Sequence, residues 1–166
     1  MTLQEAAARA EALAGAGAER ELADLRSEWA DEVEAAVRAS DFRHRAAAFR
    51  AIGQFRWRAK EELLRRGLDD ESPACRGSAL LSLELLSRDH PSTVNGVRSL
   101  LHTLATSDGN AAVRRLAVVC LRNGSPQRET IVLLDGVAAD DEAERELRQA
   151  ATKVAQTLKR KQQPRR

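Results

Sequence analysis

The chain of 166 residues contains no tyrosine, and aromatic side chains of any kind make up only 3% of it. Runs of Val, Ile and Thr are nearly missing, and no segment alternates apolar and polar residues over a useful length. Both are marks of a half-buried strand, so a sheet-based fold is excluded. Cysteine is scarce: Cys75 and Cys120 form neither a CxxC pair nor half of a metal quartet. Each lies among apolar neighbours at helical spacing, which predicts buried free thiols in a reducing compartment. No apolar run approaches the ~20 residues of a membrane span. The opening Met1-Thr2-Leu3-Gln4-Glu5 has neither the basic nor the apolar region of a leader. The expectation is a soluble, cytoplasmic protein with no membrane contact. The three histidines, His44, His90 and His102, share no ligand spacing with Cys or carboxylates. There is no Gly-rich phosphate loop and no Ser or Cys nucleophile with a plausible base. No metal, no cofactor and no catalytic residue is therefore expected.

What remains is rich in helix formers. Hydrophobic residues are 43% of the chain, mostly Ala, Leu and Val, and charged residues are 31%, mostly Arg and Glu. Ala, Leu, Arg and Glu all rank high in helix propensity, and a chain this long can bury a core. Thr2 and Glu5 have capping-box spacing, followed by Leu3, Ala6, Ala10 and Leu13 on one face. Leu22, Leu25, Trp29, Val33 and Ala36 mark a second helix. Ser40 or Asp41 caps a third, with Phe42, Ala46, Phe49 and Ile52 as its core face. A fourth covers about 56–66, with Gly67 as its C′ residue. Ser72-Pro73 opens a fifth, Pro91 a sixth, Asn110 a seventh and Ser125-Pro126 an eighth. Asp141 and Glu144 suit a capping box for the last. Short turns between these helices predict antiparallel neighbours.

One unit recurs along the chain. Arg45, Arg76, Arg114 and Arg148 are each followed three residues later by Ala48, Ala79, Ala117 and Ala151. Each Arg has an Asp upstream (Asp41, Asp70, Asp108, Asp141) and, seven residues on, Ile52, Leu83, Leu121 or Ala155. The small Ala allows close approach of helices. The Asp can cap a helix or bond an Arg of a neighbouring repeat. No single helix pair can bury its apolar face alone, so the pairs must stack. Asp70…Arg76-Gly-Ser-Ala79 and Asp108…Val113-Arg114-Arg-Leu-Ala117 resemble the HEAT-repeat family, including its HEAT-like variants in bacterial proteins. The resemblance covers roughly residues 19–160. It implies an all-α fold, a right-handed α–α superhelix of about four antiparallel pairs. These are read as a single domain over 1–160, with pairs near 19–53, 55–87, 91–122 and 126–160. Residues 1–17 add an N-terminal helix or arm, and 161–166 a basic flexible tail. It also implies a protein-binding scaffold using the concave face, although some relatives of this class bind nucleic acid and a few are lyases or DNA glycosylases.

Charge is uneven. Residues 1–40 carry nine acidic and four basic side chains, residues 41–66 three acidic and eight basic, and residues 136–166 five acidic and eight basic. Within 42–66, Phe42, Phe49, Phe55 and Trp57 interleave with Arg43, Arg50, Arg56, Arg58 and Lys60. Cations beside aromatics can hold a phosphate backbone and stack bases, so these five are the candidate binding residues for nucleic acid. The same segment also reads as a solvated face or one that binds an acidic protein. The repeated arginines read instead as structural bonds between repeats. The leading expectation is a non-enzymatic scaffold for an unidentified protein partner, with nucleic-acid binding as the alternative.

Overall fold

The computed structural model describes residues 1–163 and is helical throughout, with ten α-helices, one 3-10 turn and no strand among the described residues. The chain divides into two compact units, Met1–Leu86 and Ser87–Arg166.

The first unit opens with α1 (Leu3–Gly15), closed at its start by the expected reciprocal cap. Thr2 Oγ1 accepts from the Glu5 amide at 3.2 Å, and the Glu5 carboxylate accepts from the Thr2 amide at 2.7 Å. Gly17, at φ +70°, turns the chain into α2 (Glu19–Ala36). There the stripe Leu22, Leu25, Trp29, Val33 and Ala36 is buried as its spacing dictates. Asp41 caps α3 (Phe42–Gln54) by accepting from the Arg43 amide at 2.9 Å. Helix α1 packs on both α2 and α3. A 3-10 turn (Arg58–Lys60) leads into α4 (Glu61–Leu68), and Pro73 opens α5 (Pro73–Ser87), whose last residue falls in the second unit.

Two expectations fail here. Phe42 does not belong to the core: it is 43% exposed, because it is the first residue of α3 and has no preceding turn to cover it. Gly67 is not a left-handed C′ residue. It lies inside α4, which runs on to Leu68, and a Cβ on it would meet Ala79 Cβ at 2.7 Å and Phe49 Cδ1 at 2.8 Å. Its smallness serves packing against α5 and α3, not a turn.

In the second unit the stretch after Pro91 forms two helices, α6 (Ser92–Asn95) and α7 (Arg98–Ser107), broken at Gly96–Val97. Asn110 caps α8 (Ala111–Leu121), accepting from the Val113 amide at 3.1 Å. The Ser125-Pro126 signal is overridden. Ser125 donates its amide to Asn95 Oδ1 at 2.9 Å, and its carbonyl accepts from Arg98 at 3.2 Å, which holds the chain outside a helix. Helix α9 (Arg128–Ala139) starts later, after Gln127. The Asp141–Glu144 box also fails. Asp140 takes the turn by accepting from the Glu142 amide at 3.0 Å, and α10 (Arg145–Gln162) begins after Glu144 without a side-chain cap. Helix α10 packs on α8 and α9, and α7 on α8. Lys161 and Gln162, expected in a flexible tail, belong to α10. They bond the carbonyls of Arg122 (2.6 Å) and Pro126 (3.0 Å). Gln163 follows as the C-cap of α10, and residues 164–166 of that expected tail lie outside the described residues.

Candidate binding surfaces

The repeated arginines are built into the fold by a common bond. Arg45 Nη1 donates to the carbonyl six residues upstream, at Ala39, at 3.0 Å. Arg76 Nη1 does the same to Asp70 O at 2.8 Å, and Arg114 Nη1 to Asp108 O at 2.6 Å. Each guanidinium thus ties down the turn that precedes its own helix. The turn aspartates act in parallel: Asp41, Asp70 and Asp108 each accept from the amide two residues on. Arg45 also reaches across to the next turn, donating from Nε and Nη2 to the two Asp70 oxygens at 2.9 and 3.0 Å. Burial on its own would raise the Asp70 carboxyl, but the Arg45 pair and the Ser72 amide outweigh it and hold the group below its ordinary range. The fourth copy departs from the rule. Arg148 leaves Nε buried without a hydrogen-bond partner, and Glu144, not Asp141, pairs with Arg114 at 3.5 Å. Three residues after each Arg, Ala48, Ala79, Ala117 and Ala151 are fully buried.

The aromatic–basic segment is divided by the fold. Phe49, Phe55 and Trp57 are buried, with the Phe55 and Trp57 rings 5.1 Å apart between centroids. These three rings face the core and do not offer a stacking platform. Lys60 lies over Trp57 at 5.0 Å and pairs with Glu34 at 2.9 Å. Arg56 sits at φ +50° and folds back on the Gly53 carbonyl at 2.8 Å. Arg58 is exposed on the 3-10 turn. Arg43 is exposed, with its guanidinium 5.3 Å from the Phe42 ring centre. Arg50 is half-buried, and its Nη1 is buried without a partner. Of the five candidates, the structure therefore ties two to internal partners and leaves Arg43, Arg50 and Arg58 uncommitted.

Several determinants escaped the sequence reading. Arg26 on α2 pins the end of α3, donating to the carbonyls of Phe55 (2.8 Å) and Arg56 (3.0 Å). Ser82 on α5 accepts from the Gly53 amide at 2.9 Å and lies 3.0 Å from the Arg50 carbonyl. In the second unit, His102 Nε2 lies 2.9 Å from Thr130 Oγ1, both residues buried, and burial lowers the His102 pKa. No local motif announces such pairs, because each joins residues about thirty positions apart on different helices. A groove of about 680 Å³ opens in the same unit beside Asp108, Arg114, Val137, Glu142, Glu144 and Leu147. Among the described residues no group of His, Cys, Asp and Glu could hold a metal ion, and no helix is long and apolar enough to cross a membrane. No family model matches the sequence, and neither the curated proteins nor the solved structures give a significant match.

Proposed function

We propose that the chain is a HEAT-like solenoid whose second helices line a concave face, and that it acts as a non-enzymatic scaffold for another protein. The observation that carries this reading is the recurrence of one device: Arg45, Arg76 and Arg114 each bond the carbonyl six residues upstream. A fully buried Ala lies three residues beyond each. Repetition of a unit that braces its own turn favours an extended array, in which each unit is stabilised mainly by its neighbours. Such arrays present a row of helices whose outward residues are free to vary, and that suits recognition of a partner surface. The nucleic-acid alternative is weakened by the burial of Phe49, Phe55 and Trp57, since base stacking needs exposed rings.

The reading is tested by reconstitution. Proteins retained by the purified full chain are identified and purified, and each is titrated back by calorimetry. A saturable complex of fixed stoichiometry is expected with at least one. If purified candidates all fail to bind, or if the chain alone turns over a substrate and a point substitution abolishes it, the scaffold reading is wrong.

A further inference from the structure

Four large apolar side chains stand exposed among the described residues, and two of them, Phe42 and Leu81, belong to one face of the first unit. The bonds between α3 and α5 place them there. Cys75 Sγ donates to the Phe42 carbonyl at 3.3 Å near the start of both helices. About two turns further along α5 and three along α3, Ser82 accepts from the Gly53 amide. The helices therefore run side by side in the same direction. Along α5, Ala74, Ser78, Leu81 and Leu85 recur at helical spacing, and each is exposed or half-exposed. Along α3, Arg43, Ala47 and Arg50 form the outward row beside them. An apolar lane thus adjoins a cationic one.

The two arginines of that lane are seven residues apart, about 10.5 Å along the helix. Neither pairs with a carboxylate among the described residues. Arg43 rests on the Phe42 ring, and Arg50 keeps a buried Nη1 with nothing to accept from it. That Nη1 is closed off from the surface, so a partner's carboxylate would meet Arg50 through the exposed part of its half-buried side chain, and a carboxylate is the strongest complement of a guanidinium. The neighbouring cations are already committed, Arg45 to Asp70 and Lys60 to Glu34.

We propose that this α3–α5 face docks an acidic amphipathic helix of a partner protein. Its carboxylates, spaced two turns apart, would meet Arg43 and Arg50, and an apolar residue between them would cover Leu81 and Phe42. The proposal rests on the scaffold reading and narrows it to one surface and one partner chemistry. The apolar lane supplies area, and the arginines supply orientation and salt dependence. A phosphate polymer would satisfy the arginines but leave Ala74, Leu81 and Leu85 uncovered.

The test uses the full chain and a labelled helical peptide two heptads long, built from Glu, Leu and Ala with its Glu residues seven apart. Control peptides replace Leu by Ser, or Glu by Gln, and a labelled oligothymidylate is titrated in parallel. Fluorescence anisotropy should show saturable binding of the Glu/Leu peptide, weakened by salt. The affinity should fall about tenfold or more for either control peptide, and for Leu81→Ser or Arg50→Gln protein. Melting curves verify that both variants fold. Absence of binding, or binding indifferent to the Leu-to-Ser control or to both variants, overturns the proposal. Tighter binding of the oligonucleotide through the same arginines overturns it in favour of a polyanion surface. A reconstituted partner that crosslinks through a photoreactive residue at Val132 and not at Leu81 removes this face while leaving the scaffold reading intact.

Discussion

At Gly53 the constraint is a missing atom. A Cβ there would lie 2.6 Å from the Ser82 Cα, a backbone atom that cannot swing aside. Gly53→Ala must therefore push α3 and α5 apart and strain the Ser82 bond. The expected cost is about 1–3 kcal/mol, read as a lower melting temperature in differential scanning calorimetry. Gly15→Ala is the control: nothing lies within 4 Å of its Cβ position, so the melt should be unchanged or slightly raised. The buried alanines obey the same logic with charge added. Ala117 is fully buried, and Ala117→Glu would force an unpaired carboxylate into the core. The second unit should then lose cooperative melting at the wild-type temperature. Retention of that transition would sink the close-approach role assigned to the repeated Ala. This role was legible in the sequence, since a small residue at a fixed offset from Arg has few other uses. Phe42 was not: periodicity gave it the same face as Phe49, but at the first turn of α3 its ring is left 43% exposed.

Helix ends, and the pairs that join one helix to the next, respond to pH. The Asp70 carboxyl is held below its ordinary value of 3.8 by its bonds from Arg45 and Ser72, against the opposing effect of burial. Its contribution is therefore fully present above pH 3.8 and is lost as pH falls through the lower value of the folded chain. Asp70→Asn should melt well below wild type at pH 7, and the two should converge as pH falls through the lower value of the folded chain. His102 behaves in the opposite chemical sense. Burial lowers its pKa below 6.5 while Glu129 partly offsets and Arg98 adds to the effect, so the unfolded chain binds a proton that the folded chain resists. Stability of the second unit should fall as pH drops from 6.5 toward the lower folded value. His102→Gln should flatten that slope in melts at pH 7.5 and 5.5. An unchanged slope would mean that another group governs it. The caps at Thr2, Asp41 and Asn110 could be read from sequence, because each bond spans two or three residues. At Ser125 the chain is held by Asn95 and Arg98, which lie far off in the chain, and at Asp141 the turn is taken by its neighbour Asp140.

Across the whole molecule, stability is expected to be partitioned and not shared uniformly. Where each unit leans mainly on its neighbours, damage stays close to where it is made. Native-state hydrogen exchange on Gly53→Ala should therefore quicken most over α3 and α5, and least over α9 and α10. Uniform acceleration along the chain would mean a single cooperative core and would count against the repeat reading. The all-helical class was legible because composition and period agree over every segment. The division after Leu86 was not, since α5 crosses it without a break in pattern.

Among the bonds that fasten helix α3 are those of Arg45 to Asp70 and of Gly53 to Ser82. Both partners lie beyond the α4 hairpin, on the turn before α5 and on α5 itself. The fixed points lie eight positions apart on one side and twelve on the other. Inserting one residue between Arg45 and Gly53 would rotate the second point by about 100° relative to the first, so both could not be kept. The segment can thus exchange most of its outward side chains yet cannot change its length. Lineages of this protein should record substitutions at His44 and Ala47, while gains and losses of residues gather in the turns between helices.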